Sequence, residues 1–232
     1  MKEALYTLQQ ETACMNQDRL KAKGIFLDLD GTIVDSCQAY LEAAQTAFKA
    51  VGQKMPEVKT ALEIPRRLEQ ELSLNDIINC DREKFLAVYL KAYYSTTKLK
   101  TQLIPNVSCT LEVLSAKAKL ALITMRYVPS RAIIEELSYF GIAKYFTHVV
   151  TALDTPKPKP SPEALIRCVK ALDVDICECV IVGDSVNDIR AGKAAGAKTV
   201  AVLTGLFQCE ELAMECPDLI LPNITKLPQF IV

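Results

Sequence analysis

The sequence predicts an α/β fold, a parallel sheet covered by helices on both faces, with an all-helical segment inserted after the first strand. Three observations predict it. Short apolar runs recur along the chain and helical stretches separate them, the pattern of repeated βα units. Residues 36–104 break that rhythm: they hold one glycine, Gly52, of the eight in the chain, and show helical spacing over most of their length. The first apolar run ends in two carboxylates, Asp28 and Asp30, two residues apart. A strand has a side-chain period of two, so both can point to one side.

Residues 1–22 read as a polar, helical extension whose role is not legible. Ile25–Leu29, apolar but for Asp28, has the composition of a strand buried on both faces, and Gly31 lets the chain turn sharply where it ends. In the inserted segment, Tyr40, Leu41, Ala44, Phe48 and Val51 form one helical face before Gly52. Leu68 and Leu72, one helical turn apart, follow Pro65. Phe85, Val88, Tyr89, Ala92 and Tyr93 form another face behind an Asp81 cap. Further strands are expected at Leu120–Thr124, His148–Thr151, Cys179–Val182, Thr199–Leu203 and Leu219–Leu221. Between them, Pro129 opens a helix carrying Ile133, Ile134 and Leu137 and ending near Gly141. Ser161 has the character of an N-cap, with Pro162 at the first helical position and Leu165, Ile166, Val169 and Leu172 on one face. Val186–Ala195 forms a third helix, closed by Gly196. The core is thus expected over 23–35 and 105–232, with 36–104 inserted between.

Composition narrows the function. Half of the 232 residues are hydrophobic, 24% are charged and the formal net charge is −1, so no basic surplus points to nucleic acid. No apolar run approaches the ~20 residues of a membrane span. The N-terminus, Met1-Lys2-Glu3-Ala4, lacks the character of a signal peptide. Nine cysteines, an odd number without a CxxC pair, read as free thiols of a reducing cytoplasm. No protein partner is evident. The sole histidine, His148, reads as a strand-edge residue.

Two like charges packed together are costly unless a cation, a reaction or both make use of them. Sites of parallel α/β sheets form at the carboxyl ends of strands, so the residues at each end test the idea. The first strand ends in Asp28 and Asp30, and the Leu120 run in Thr124. The Cys179 run ends in Gly183-Asp184-Ser185-Val186-Asn187-Asp188, and a proline-rich turn, Lys157-Pro158-Lys159-Pro160-Ser161-Pro162, leads into a helix before it. Carboxylates, a hydroxyl and a lysine converge at one edge.

This ordered set resembles the haloacid dehalogenase-like hydrolase superfamily, in particular its phosphoglycolate phosphatase-like and β-phosphoglucomutase-like members. Asp28-Leu29-Asp30-Gly31-Thr32 with Asp35-Ser36 is similar to the first motif, Thr124 to the second, Lys159-Pro160-Ser161-Pro162 to the third and Gly183–Asp188 to the fourth. The resemblance implies a Rossmann-like core with a helical cap and a Mg²⁺-dependent phosphatase acting on a small phosphorylated metabolite. It makes Asp28 the nucleophile that forms an aspartyl phosphate and Asp30 the general acid and base. Asp28, Asp184 and the Asp30 carbonyl would hold Mg²⁺, with Asp188 as a further ligand or support. Lys159, which has the family's spacing where Lys157 does not, would stabilise the transferring group, and Thr124 would donate to its oxygens. Gly31 and Thr32 are expected to border the substrate.

Two departures bear on substrate contacts. Thr124 is followed by Met125-Arg126 where relatives often have a small amide residue; Arg126 is read either as a substrate contact or as a surface arginine. Pro105-Asn106 stands where many relatives have Pro-Gly. In the cap, Arg66 and Arg67 are read either as contacts to a second anionic group or as a solvated helix face. A phosphoglycolate-like phosphomonoester is the expected substrate. A pyrophosphatase and a β-phosphoglucomutase-like phosphotransferase use the same machinery, and a non-catalytic metal-binding module is the reading from another class. Dehalogenation leaves Asp30 without an oxygen to protonate.

Overall fold

The computed structural model describes residues 19–232. The expected helical extension therefore lies outside the described residues as far as 18. Leu20 and Ala22, placed in that extension, belong to the core, and Leu20 bridges Ile231.

Six strands form one sheet in the order β5-β4-β1-β6-β7-β8. They are β1 (Gly24–Leu27), β4 (Lys119–Ile123), β5 (Phe146–Val150), β6 (Cys179–Gly183), β7 (Lys198–Val202) and β8 (Leu219–Leu221), and every pairing is parallel. Alternation sends Ile25, Leu27, Leu120, Leu122, Val180 and Val182 to one face. Phe26, Ala121, Ile123, Cys179 and Ile181 go to the other, so each face has its own apolar cluster. The strand order runs outward from β1 in one direction through β4 and β5, then restarts at β6 and runs the other way. The chain ends of β1, β4 and β6 therefore flank the point where the order reverses, which is where such sheets open a crevice.

A short antiparallel pair, β2 (Val34–Asp35) and β3 (Gln102–Leu103), brackets three helices: α1 (Cys37–Ala50), α2 (Val58–Glu69) and α3 (Arg82–Lys100). Four alanines of α1, Ala39, Ala43, Ala44 and Ala47, leave room for the rings of Phe85, Tyr89 and Tyr93 on α3, and Phe48 meets Phe85 edge-on at 4.9 Å. Asp81 caps α3, accepting from the Glu83 and Lys84 amides. Helix α2 departs from the expected pattern. Pro65 lies inside it, and the helix stops before Leu72, which is 47% exposed.

The remaining helices are α4 (Val107–Lys117), α5 (Ser130–Tyr139), α6 (Glu163–Leu172), α7 (Val186–Ala195) and α8 (Cys209–Met214). Asn106, before α4, has φ of 64°, a left-handed conformation that asparagine tolerates better than most non-glycine residues. That is the demand a glycine meets in the Pro-Gly of relatives. Helix α6 starts one residue later than expected: Pro162 takes the cap position and Ser161 Oγ accepts from the Glu163 amide at 3.4 Å. Ile134 and Ile166 face solvent, and Ala164 and Cys168 complete the buried stripe of α6. The cysteines of the described residues carry no disulfide, and no helix among them is long and apolar enough to cross a membrane.

Candidate active site

Asp28 directly extends β1, its amide still donating to the Val182 carbonyl at 2.9 Å. Lys159 Nζ lies 2.6 Å from Asp28 Oδ1 and also bonds Asp188 Oδ1, so one buried ammonium ties the loop after β1 to helix α7. Oxygens of Asp28, Asp184 and Asp188 lie within 4.8 Å of one another.

Each carboxylate is held differently. Asp188 is the N3 residue of a capping box on α7: its Oδ2 accepts from the Ser185 amide and hydroxyl, at 3.2 and 2.8 Å, while Oδ1 takes Lys159. Both of its oxygens thus already take donors. Asp184 Oδ1 accepts from Thr32 Oγ1 at 3.1 Å. Gly31 has φ of 80°, and a Cβ there would stand 2.5 Å from the Asp184 carboxylate; a Cβ on Gly205 would fall inside it. Those two glycines make the space in which Asp184 sits.

The electrostatics are unbalanced. Burial, then the repulsion of Asp188, pushes Asp28 well above the usual carboxylate range against the pull of Lys159. Burial together with Asp28 and Asp188 does the same to Asp184. For Lys159, burial opposes the charge but Asp188 and Asp28 outweigh it and raise its pKa. Glu69, at the end of α2, adds a further acid: burial and Asp188 push it up to about 7. One ammonium faces three aspartates and this glutamate. Hard oxygen donors clustered with a shortage of positive charge fit a small divalent cation such as Mg²⁺.

Asp30 stands apart from that cluster. Arg126 Nε and Nη2 donate to its two oxygens at 2.7 and 2.6 Å, Tyr93 OH donates at 2.8 Å and Ser36 Oγ donates as well. Burial works against its charge, but Arg126 and these hydrogen bonds prevail and hold Asp30 below the ordinary value. Arg126 is 4% exposed, which removes the surface reading.

The other expected residues divide. Thr124 is buried after β4, its amide donating to Val150 and its hydroxyl accepting from the Arg126 amide. Arg66 pairs with Glu63 and Glu211 and lies over the Phe207 ring, whereas Arg67 pairs with Asp76. Neither lines the cavity above Asp28, and nor does Thr124, Lys159 or His148. Sequence reasoning missed Glu69, Ser36, Tyr93 and Gly205 as site residues. Only Ser36 had a local signal, its place directly after Asp35. The others arrive through packing of separate elements.

The profile of the haloacid dehalogenase-like hydrolases matches residues 25–202. The chain belongs to the haloacid dehalogenase-like hydrolase family. A phosphoglycolate phosphatase of Vibrio vulnificus (strain CMCP6) is 33% identical over 227 residues, covering 92% of this chain and 96% of that one. A phosphoglycolate phosphatase of Vibrio parahaemolyticus is 31% identical over 224 residues, with the same two coverages. Among solved structures, a predicted phosphoglycolate phosphatase from Haemophilus somnus 129pt aligns with a TM-score of 0.73 at 25% identity, over 90% of this chain and 97% of that one. A haloacid dehalogenase-like family hydrolase from Streptococcus pneumoniae reaches 0.76 at 21% identity, over 90% and 98%, a likeness of fold alone. Membership of this hydrolase family makes the chain an enzyme, and its curated relatives fall among the family's phosphatases.

Proposed function

We propose that the protein is a Mg²⁺-dependent phosphatase that hydrolyses a small phosphomonoester through an aspartyl phosphate on Asp28. The observation that carries this is the Lys159 ammonium bridging Asp28 and Asp188 beside Asp184. A lysine in that place works toward the ionised, nucleophilic form of Asp28 against burial and Asp188, and sits where the transferring group gains charge. Asp28, Asp184 and the Asp30 carbonyl, with Asp188 behind them, would hold Mg²⁺, whose charge lets an anionic phosphate approach carboxylates.

Asp28 attacks phosphorus, the ester P–O bond breaks and the departing oxygen takes a proton from Asp30, which has to enter this step protonated against the pull of Arg126. Water then attacks phosphorus, Asp30 takes its proton, and the Asp28–phosphorus bond breaks to release phosphate. The fork of Arg126 favours the ionised Asp30 that the second step requires. Helices α1 to α3 act as the cap that closes over the crevice, with residues 36–104 as its extent and the α/β core over 23–35 and 105–232. Phosphoglycolate, named in the relatives' descriptions, is the reference against which other phosphomonoesters are measured. Free thiols at the described cysteines suit a cytoplasmic enzyme.

The test is phosphate release from p-nitrophenyl phosphate with and without Mg²⁺. Activity should require the metal and vanish in Asp28→Asn. Full activity in that variant sinks the aspartyl-phosphate mechanism on Asp28, and no activity in the wild type sinks the enzyme reading and favours a non-catalytic metal-binding module.

A further inference from the structure

The cavity over Asp28 and Asp184 has a volume of about 310 Å³, at the lower end of the ~300–1,000 Å³ of small-molecule pockets. Much of its lining is aromatic. Tyr40, Tyr89, Tyr93 and Tyr94 come from α1 and α3, and Tyr127 and Phe207 come from loops of the core. Tyr40 and Tyr93 are stacked at 4.9 Å, which fixes that tyrosine wall, while Tyr127 at the rim is 54% exposed and has a ring to offer.

The charged part of the lining is equally one-sided. Among the described residues its only cation is Arg126, and both edges of that guanidinium are taken, by Asp30 and Glu136. The other charged lining residues are acids, Asp35 and Glu69 among them. Arg66 and Arg67, the basic pair of the cap, are held elsewhere by Glu211 and Asp76. A substrate tail ending in a carboxylate or a second phosphate would lose its water and find rings and carboxylates in exchange.

We infer that the substrate is a phosphomonoester whose alcohol carries an uncharged planar aromatic or heteroaromatic ring, and not a short acid such as glycolate. The ring lies against the tyrosine wall and Tyr127. This rests on the phosphatase reading above and specifies its leaving group.

The test compares kcat/KM for benzyl phosphate, ethyl phosphate and phosphoglycolate with Mg²⁺. All three release an aliphatic alcohol of similar acidity, so differences in leaving-group chemistry do not favour the ring. Benzyl phosphate should lead phosphoglycolate by about tenfold, the scale of one good aromatic contact, and Tyr127→Ala should lower the benzyl-to-ethyl ratio. Phosphoglycolate turned over as well as benzyl phosphate, or a ratio untouched by that substitution, overturns the inference and leaves the phosphatase reading standing. Inertness toward all three and toward p-nitrophenyl phosphate overturns the phosphatase reading instead. In that case calorimetric titration of the protein with benzylphosphonate and phosphonoacetate decides the ring question. Tighter benzylphosphonate supports it, and equal or weaker binding overturns it.

Discussion

Arg126 and Asp30 form a two-toothed ion pair, Nε to Oδ2 at 2.7 Å and Nη2 to Oδ1 at 2.6 Å, and the third guanidinium nitrogen reaches Glu136 Oε2 at 2.7 Å. Glu136 in turn accepts from the Thr97 hydroxyl on α3. One buried side chain thereby links the loop after β1, helix α5 and the helical segment. Arg126→Met strands two buried carboxylates, a loss expected at about 3–5 kcal/mol. Arg126→Lys keeps the charge without the planar fork and should lose less stability. Urea unfolding of both variants checks this; a midpoint unchanged in Arg126→Met contradicts it.

Space around Asp184 depends on an absent side chain. A Cβ on Gly205 would overlap the Asp184 carboxylate. Gly205→Ala should leave the circular dichroism spectrum intact and cut Mg²⁺-dependent phosphatase activity about a hundredfold, as displacements near 1 Å do at catalytic centres. Activity within a factor of two of wild type would show that Asp184 is free to move.

Asp28 and Asp184 are both pushed above the usual carboxylate range by burial and by repulsion from neighbouring carboxylates, Asp188 in both cases. A divalent cation held by the folded state alone relieves that repulsion and stabilises the fold by mass action. At about a hundredfold excess over Kd the gain is ~2.7 kcal/mol, or roughly 5–10 °C in Tm for a chain of this length. Differential scanning fluorimetry should show the rise with Mg²⁺ and its reversal by a chelator. Asp184→Asn should abolish it; an equal rise in that variant would place the metal elsewhere.

A pH effect is expected far from the site. Asp218 accepts from Lys198 Nζ and the Thr199 amide, each at 2.8 Å, and from the Thr199 hydroxyl at 3.1 Å. Partial burial opposes its charge, but these donors prevail and hold its pKa below the ordinary value. A depressed carboxylate contributes stability above its unfolded pKa, about 3.9, and loses it as the pH falls through the folded value. Asp218→Asn should therefore lower stability by about 1 kcal/mol at pH 7, with the gap closing toward pH 2. Urea titrations at the two pH values check it, and a gap that persists in acid refutes the assignment.

The parts read well from the sequence are those set by local chemistry. β8 lies at the expected residues and the other strands of the six-stranded sheet within a few positions, because an apolar run between turn residues has few alternatives when both faces are buried; the short β2–β3 pair was not foreseen. Helix α7 was legible to the residue, from Val186 to Ala195 with Gly196 closing it, although its Ser185 cap was not read. The errors are local too. Ile134 and Ile166 were grouped with buried neighbours, yet each sits at the edge of its apolar stripe, where the tertiary structure alone decides exposure.

By itself the sequence determined the strand-end acids, the lysine turn and the helical character of 36–104, since strand period, proline and glycine chemistry and helical spacing are written in adjacent residues. It could not decide which of these side chains touch. Arg126 was equally a surface residue or a site residue until α5 brought Glu136 and the first loop brought Asp30 to the same guanidinium. Glu69, Tyr89 and Gly205 carry no local mark at all. Their importance comes from the packing of α2, α3 and the loop after β7 against the crevice, contacts between residues distant in sequence that only the closed chain creates.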